Sequence, residues 1–156
     1  MGSETIFHID VNSAYLSWSA IRRLQNGDPL DLRTIPSIIG GDKEKRHGIV
    51  LAKSIPAKKY GIQTAEPIVS AFRKCPTLVM ESPDMHYYHQ KSEELMNYLR
   101  SVCPDIEQLS VDECFMDYTP IQRHYASPME AACQIKNEIR NRLGFTVNVG
   151  ISDKRV

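Results

Sequence analysis

Three acids stand where apolar side chains are expected. In 108-QLSVDECFMDY-118, Asp112 and Glu113 sit side by side among Leu109, Val111, Phe115 and Met116. Asp10 lies inside the apolar run TIFHIDV at 5–11, with no Arg or Lys close by in sequence. An ionised carboxylate in such surroundings needs a partner. Three of them brought within about 4 Å of one another would repel by roughly 4 kcal/mol per pair at an effective dielectric of about 20. A divalent cation removes that repulsion, and carboxylates with a main-chain carbonyl are the hard oxygen ligands that Mg²⁺ or Mn²⁺ prefers. Taken singly the acids have plainer readings: Asp10 as an aspartate satisfied by a cap or turn, Asp112 and Glu113 as an ordinary acidic hairpin.

For the acids to act together, the chain must hold them on one side of a sheet. Adjacent residues of a regular strand point to opposite faces. A hairpin with strands 106–110 and 114–118 and Val111, Asp112 and Glu113 at its tip relieves that alternation. The run at 5–11 reads as a buried strand, followed by a helix capped by Asn12 or Ser13 with Ala14, Trp18, Ile21 and Leu24 along one face. Short strands near 35–39 and 48–53 are joined by a charged turn, and short helices near 56–60 and 66–74 follow. Another strand at 77–81 leads to a long helix from about Asp84 to Val102, with Tyr88, Leu95, Leu99 and Val102 as its buried stripe. Ser127-Pro128-Met129-Glu130 is a capping box that opens a helix ending at Gly144. The run FTVNVGI at 145–151 alternates as a strand. This mixture predicts an α+β fold with helices on one face of a sheet.

Length and composition bound the rest. A chain of 156 residues, 42% hydrophobic and 24% charged, has room for one domain with a core. No apolar run approaches the roughly 20 residues of a membrane span, and the N-terminus lacks a signal-peptide pattern, so the expected location is the cytoplasm. Cys75, Cys103, Cys114 and Cys133 include no CxxC pair, so all four are expected as reduced thiols packed like small hydrophobes. The net charge is zero, yet 43–74 carries eight basic residues against two acids, a local excess of +6. A basic segment beside an acidic one suits a polyphosphate or nucleic acid held near carboxylate-bound cations; it also fits a solvated charged face. The pair His86 and His89 reads as surface.

Together these residues carry a resemblance. The stretch 9-IDVNSAYLSW-18 resembles the first metal motif of the Y-family translesion DNA polymerases, the group of DNA polymerase IV and the UV-mutagenesis proteins, and 110-SVDECFMD-117 resembles their second. The stretch 57-AKKYGIQTAEP-67 is similar to the family's fingers motif, and 149-VGISDKRV-156 to the start of its later nucleotide-binding motif. The four occur in family order along nearly the whole chain. The resemblance implies a ferredoxin-like βαββαβ palm with a small basic fingers insertion: palm over 1–35, fingers over 36–76 and palm again over 77–156, without the thumb and little-finger domains of longer members. It implies two Mg²⁺ ions, replaceable by Mn²⁺, held by Asp10, the carbonyl of Val11, Asp112 and Glu113. Asp10 and Asp112 would bridge both ions, with Glu113 completing the shell of the one that activates the primer hydroxyl. The implied partners are primer-template DNA and deoxynucleoside triphosphates, with a sliding clamp engaged through the C-terminal part of the longer polymerase.

Tyr15 matches the family's sugar-discriminating aromatic, and Ala14, Ser54, Lys58 and Arg155 complete the nucleotide-binding set the resemblance implies. Ile49, Leu51 and Ala65 would form the lid near the base pair. The chain also departs from the family: Ile55 and Lys58 stand where many members place a Tyr and an Arg. Ile55 cannot donate a hydrogen bond, and Lys gives a point charge in place of a bidentate fork, so the expectation is either weaker triphosphate affinity or a triphosphate shared with Ser54 and Lys53. Two alternatives remain: a catalytically silent polymerase-like module that binds nucleic acid or a protein partner, and a nucleotidyl cyclase. Gly40-Gly41-Asp42 resembles the cyclase signature superficially but opens a charged loop instead of tipping the hairpin.

Overall fold

A computed structural model describes residues 4–41 and 48–153. In chain order these form β1 (Ile6–Val11), α1 (Ala14–Gln25), β2 (Ser37–Gly40), β3 (Val50–Lys53), α2 (Ile55–Lys58), α3 (Ile68–Lys74) and β4 (Val79–Glu81). There follow α4 (Met85–Val102), β5 (Ile106–Gln108), β6 (Glu113–Asp117), α5 (Pro128–Leu143) and β7 (Val147–Ser152). The chain divides into two compact units, one made by the segments up to Asn12 and from His89 onward, the other by Ser13–Tyr88.

In the first unit four strands lie in the order β5-β6-β1-β7, every neighbouring pair antiparallel. The first and third strands in sequence are thus central and the second and fourth are edges, the ferredoxin-like arrangement expected from the resemblance. Along β1 the alternation is clean: Phe7, Ile9 and Val11 are buried, and His8 and Asp10 are partly exposed. Cys114 and Met116 of β6 repeat it between half-exposed Glu113, Phe115 and Asp117. Leu95, Met96 and Leu99 of α4 and Ala131, Ala132, Ile135 and Ile139 of α5 complete the buried apolar set of this unit. The N-cap half of the capping box is formed: Ser127 Oγ accepts the amide of Glu130 at 3.1 Å, and Gly144 ends α5 at φ 84° with its amide on the carbonyls of Ile139 and Arg140.

The Ser13–Tyr88 unit is larger than the 36–76 segment read as the insertion, because α1 and β4 pack with the strands between them. Its sheet runs β3-β2-β4, antiparallel on one side and parallel on the other, and all of β2 is buried. Consecutive Ile38 and Ile39 face opposite sides. Ile38 joins Val50, Ala57, Ile62, Ile68, Ala71, Cys75 and Leu78, while Ile39 joins Leu16, Ala20, Leu32 and Ala52. Val50 and Ala52 are two residues apart and would share a face in a regular strand. They divide between the two clusters because Ile39 pairs with Ala52 but Gly40 pairs with Val50, leaving Leu51 as a bulge residue that turns outward.

Three expectations need correction. Leu24 on the α1 stripe is 38% exposed, since it belongs to the last turn, beyond the cluster that buries Leu16 and Ala20. Cys133 is exposed while Cys75, Cys103 and Cys114 are buried, because it falls on the outer face of α5; burial pushes the Cys114 thiol up to about 12. Ser13 holds the N-cap position of α1 in the left-handed region, φ 43°, with no side-chain cap bond. The Asn12 side chain is engaged with the start of β7: its amide nitrogen donates to Thr146 Oγ1 and its oxygen accepts from Asn148. Among the described residues no helix is long and apolar enough to cross a membrane.

Two backbone positions give opposite predictions. A β-carbon on Gly40 would lie 2.5 Å from the carbonyl oxygen of Ile49, so Gly40→Ala is expected to destabilise the fold by about 1–3 kcal/mol in urea denaturation. Ala65 sits at φ 75°, a conformation costing a non-glycine residue roughly 1–2 kcal/mol. Ala65→Gly is therefore expected to stabilise by about 1 kcal/mol in the same measurement.

Candidate functional site

The acids meet through strand register. Asp10 lies directly opposite Glu113 in the antiparallel pair β1/β6, so both side chains stand on the same face, the one opposite Phe7, Ile9 and Val11. Asn148 of β7 flanks Asp10 from the other side. The hairpin is shorter than expected, 106–108 paired with 113–117, and its turn ends at Asp112. Glu113 is consequently the first strand residue instead of part of the tip. Its carbonyl accepts the amides of Leu109 and Ser110, closing the turn, while the Asp112 carbonyl accepts the amide of Val11 at 2.9 Å. Asp112 is thus tied by its main chain to the residue that follows Asp10.

Two side chains that the sequence did not single out stand against these acids. Ser110 Oγ donates to Asp112 Oδ1 at 2.9 Å. His8 Nε2 stands 3.5 Å from Glu113 Oε2, its ring tilted against Phe115. Alternation along β1 could have shown His8 and Asp10 on one face, but its nearness to Glu113 depends on the pairing of β1 with β6.

The donor set fits a hard divalent cation in chemistry. Asp10, Asp112 and Glu113 offer carboxylate oxygens, all three are part-exposed, and none forms an ion pair with Lys or Arg among the described residues. As the side chains stand, no three His, Cys, Asp or Glu residues are gathered tightly enough to enclose an ion, among the described residues. The Ser110 bond holds one oxygen of Asp112, and its release would free that carboxylate.

In the Ser13–Tyr88 unit, Tyr15 is half-buried and stacks on Tyr88, centroids 4.6 Å apart and planes 11° from parallel. Tyr88 is fully buried, Trp18 leans on it, and its hydroxyl lies 2.6 Å from that of Ser19. Burial raises the Tyr88 phenol above its ordinary range, with the Ser19 hydrogen bond acting against the shift. Ala14 is buried in the first turn of α1. Lys58 is exposed at the end of α2, and Lys53 reaches Thr64 Oγ1 at 3.4 Å. Ile55 is 73% exposed, a large apolar side chain facing solvent. Ile49 and Leu51 are also outward-facing. Next to them Ala65 donates to the Val50 carbonyl, and Glu66 is held by Lys74 at 3.0 Å. Desolvation opposes ionisation of Glu66, but the Gln63 amide and Lys74 keep its carboxyl below the usual range. Arg155 lies outside the described residues.

Ser54 is withdrawn from the triphosphate set. It is 1% exposed, and its hydroxyl donates to the Ile35 carbonyl at 2.7 Å while accepting the amides of Ala57 and Ser37, each at 3.0 Å. Those bonds cap α2 and fasten it to the start of β2, leaving the oxygen nothing to offer a ligand.

A chain that holds both a ferredoxin-like sheet with paired carboxylates on its uncovered face and a second compact α/β unit defines a class, and comparison with known proteins is consistent with it. The chain belongs to the impB/mucB/samB family, which it matches over residues 9–156. It is 53% identical over 154 residues to a DNA polymerase IV of Clostridium acetobutylicum, covering 99% of this chain and 39% of that protein. To a DNA polymerase IV of Alkaliphilus oremlandii it is 36% identical over 148 residues, 95% of this chain and 36% of the relative. The chain thus spans about two fifths of the length of these relatives. Its fold matches a Dbh ternary complex with TM-score 0.84 at 22% identity, over 97% of this chain and 42% of that one. DinB from Sulfolobus solfataricus gives TM-score 0.81 at 22% identity, over 97% and 43%.

The triple use of Ser54 carries a prediction. Ser54→Ala is expected to cost about 1–3 kcal/mol of stability by loss of the cap and the stranding of buried partners. Nucleotide affinity measured on the folded variant by calorimetry is expected to stay unchanged.

Proposed function

We propose that the chain is the palm and fingers portion of a template-directed DNA polymerase of the translesion type, acting on primer-template DNA and deoxynucleoside triphosphates in the cytoplasm. The observation that carries this reading is the Asp10–Glu113 cross-strand pair on the uncovered sheet face, with Asp112 at the adjoining turn. The identity to relatives named DNA polymerase IV supports it.

In this reading the palm comprises 1–35 and 77–156 and the fingers 36–76. Asp10, the Val11 carbonyl, Asp112 and Glu113 would hold two Mg²⁺ ions, with Mn²⁺ able to substitute. Such ions supply activation of a primer hydroxyl and neutralisation of the triphosphate and leaving pyrophosphate. The protein's own part is to keep the carboxylates aligned by sheet register and free of competing cations. Tyr15 presents an aromatic ring where a 2′-hydroxyl would collide with it, selecting deoxyribose. Lys53, Lys58 and Arg155 attract the triphosphate as charges, and with Ser54 committed to capping and Ile55 apolar the remaining donors in 53–58 are the two lysines. A sliding clamp is a partner of the longer polymerase.

Calorimetry or electron paramagnetic resonance on this chain tests the reading. Mn²⁺ is expected to bind, and Asp112→Asn to weaken it by more than the roughly 10–100-fold typical of an outer-shell partner. A silent module would bind neither metal nor nucleotide, and that result would falsify the proposal. Tyr15→Ala is expected to lower the preference for deoxy- over ribonucleotide on the order of tenfold, the scale of steric discrimination by one small group.

A further inference from the structure

Tyr15 and Ser19 are four residues apart on α1, so they lie one above the other on a single helix face. Both reach Tyr88. The Tyr15 ring covers the Tyr88 ring at 4.6 Å, and the Ser19 hydroxyl meets the Tyr88 hydroxyl at 2.6 Å. Stacking sets the separation of two rings but only loosely their sideways offset, since offset arrangements lie close in energy. A hydrogen bond of fixed length and direction sets the offset. Ser19 is 6% exposed and Tyr88 fully buried. An Ala and a Phe of similar shape could occupy those places with little effect on stability, because removing both partners strands no polar group. What the pair supplies is therefore position.

We propose that Ser19 is a positioning residue for sugar selection: its hydroxyl fixes the Tyr88 ring, which in turn fixes how far the Tyr15 ring projects. The proposal rests on the reading of Tyr15 given above. It predicts that selectivity can be loosened by deleting two buried hydroxyls, with Tyr15 itself intact.

The test is calorimetric titration of dATP and ATP into this chain with Mn²⁺. The double variant Ser19→Ala/Tyr88→Phe is expected to reduce the ATP-to-dATP ratio of dissociation constants by about fivefold, the worth of one ordinary hydrogen bond, while its melting temperature stays near that of the parent. Added to Tyr15→Ala, the same pair should change the ratio no further. A ratio reduced by Tyr15→Ala but untouched by the double variant overturns the role of Ser19 and leaves the gate reading standing. A ratio that Tyr15→Ala fails to change, or no binding of either nucleotide, overturns the Tyr15 reading and this proposal with it. A purely structural Ser19–Tyr88 bond would leave the ratio alone in the double variant and show itself only as a lower melting temperature of the single variant Ser19→Ala, which strands the buried Tyr88 hydroxyl; that result overturns the proposal.

Discussion

The register of β1 against β6 is the constraint on which the site depends. With Asp10 opposite Glu113, the residues Phe7, Ile9 and Val11 turn to the buried side and His8 and Asp10 to the other. A slip of one residue would exchange the two sets, sending a carboxylate into the apolar layer and three large hydrophobic side chains into water. Burial of those three side chains, each worth roughly 1.5–3 kcal/mol, therefore holds the acids in place although it involves none of them. The pairing with β7, Asp10 beside Asn148 and Val11 beside Val147, holds the same strand from its other edge.

The turn before β6 then settles what alternation would forbid. Asp112 and Glu113 are neighbours, and in an uninterrupted strand they would part to opposite faces. Because β6 begins at Glu113, Asp112 belongs to the turn, with its carbonyl on the Val11 amide and its carboxylate on Ser110. One acid is oriented by the sheet and the next by a local hydrogen bond, so the two answer to different forces. Mutual repulsion of such groups is tolerable in their part-exposed setting, where the effective dielectric is high.

In the Ser13–Tyr88 unit polar side chains serve geometry. Ser54 spends its whole hydrogen-bonding capacity on a cap and a strand. Ser19 spends its own on Tyr88. The bulge at Leu51 does by backbone what these do by side chain, sending one residue of β3 to each core and a third outward. Among the described residues, left-handed Ser13 and Ala65 are the strained non-glycine positions, at the start of α1 and beside β3, in keeping with the tendency of such strain to collect near functional segments.

Much was legible in the chain itself. The 5–11 run, the capping box at Ser127 with its glycine stop, the long helix beginning near Asp84 and the acid pair before an apolar strand are local patterns, and local patterns reflect short-range sterics and hydrogen bonds that a sequence states directly. The same holds for the motif resemblance, which depends on residue types and spacing. Other features required the folded chain: Asp10 beside Glu113, 103 positions apart by number, Tyr15 against Tyr88, the commitment of Ser54 to Ile35 and Ser37, and the exposure of Cys133. Each is a contact or a face chosen by packing between segments distant in sequence, and the entropy of closing those loops is repaid only when the whole sheet and both cores form together. The sequence by itself determined which side chains could do chemistry; tertiary structure decided which of them stand on the same face.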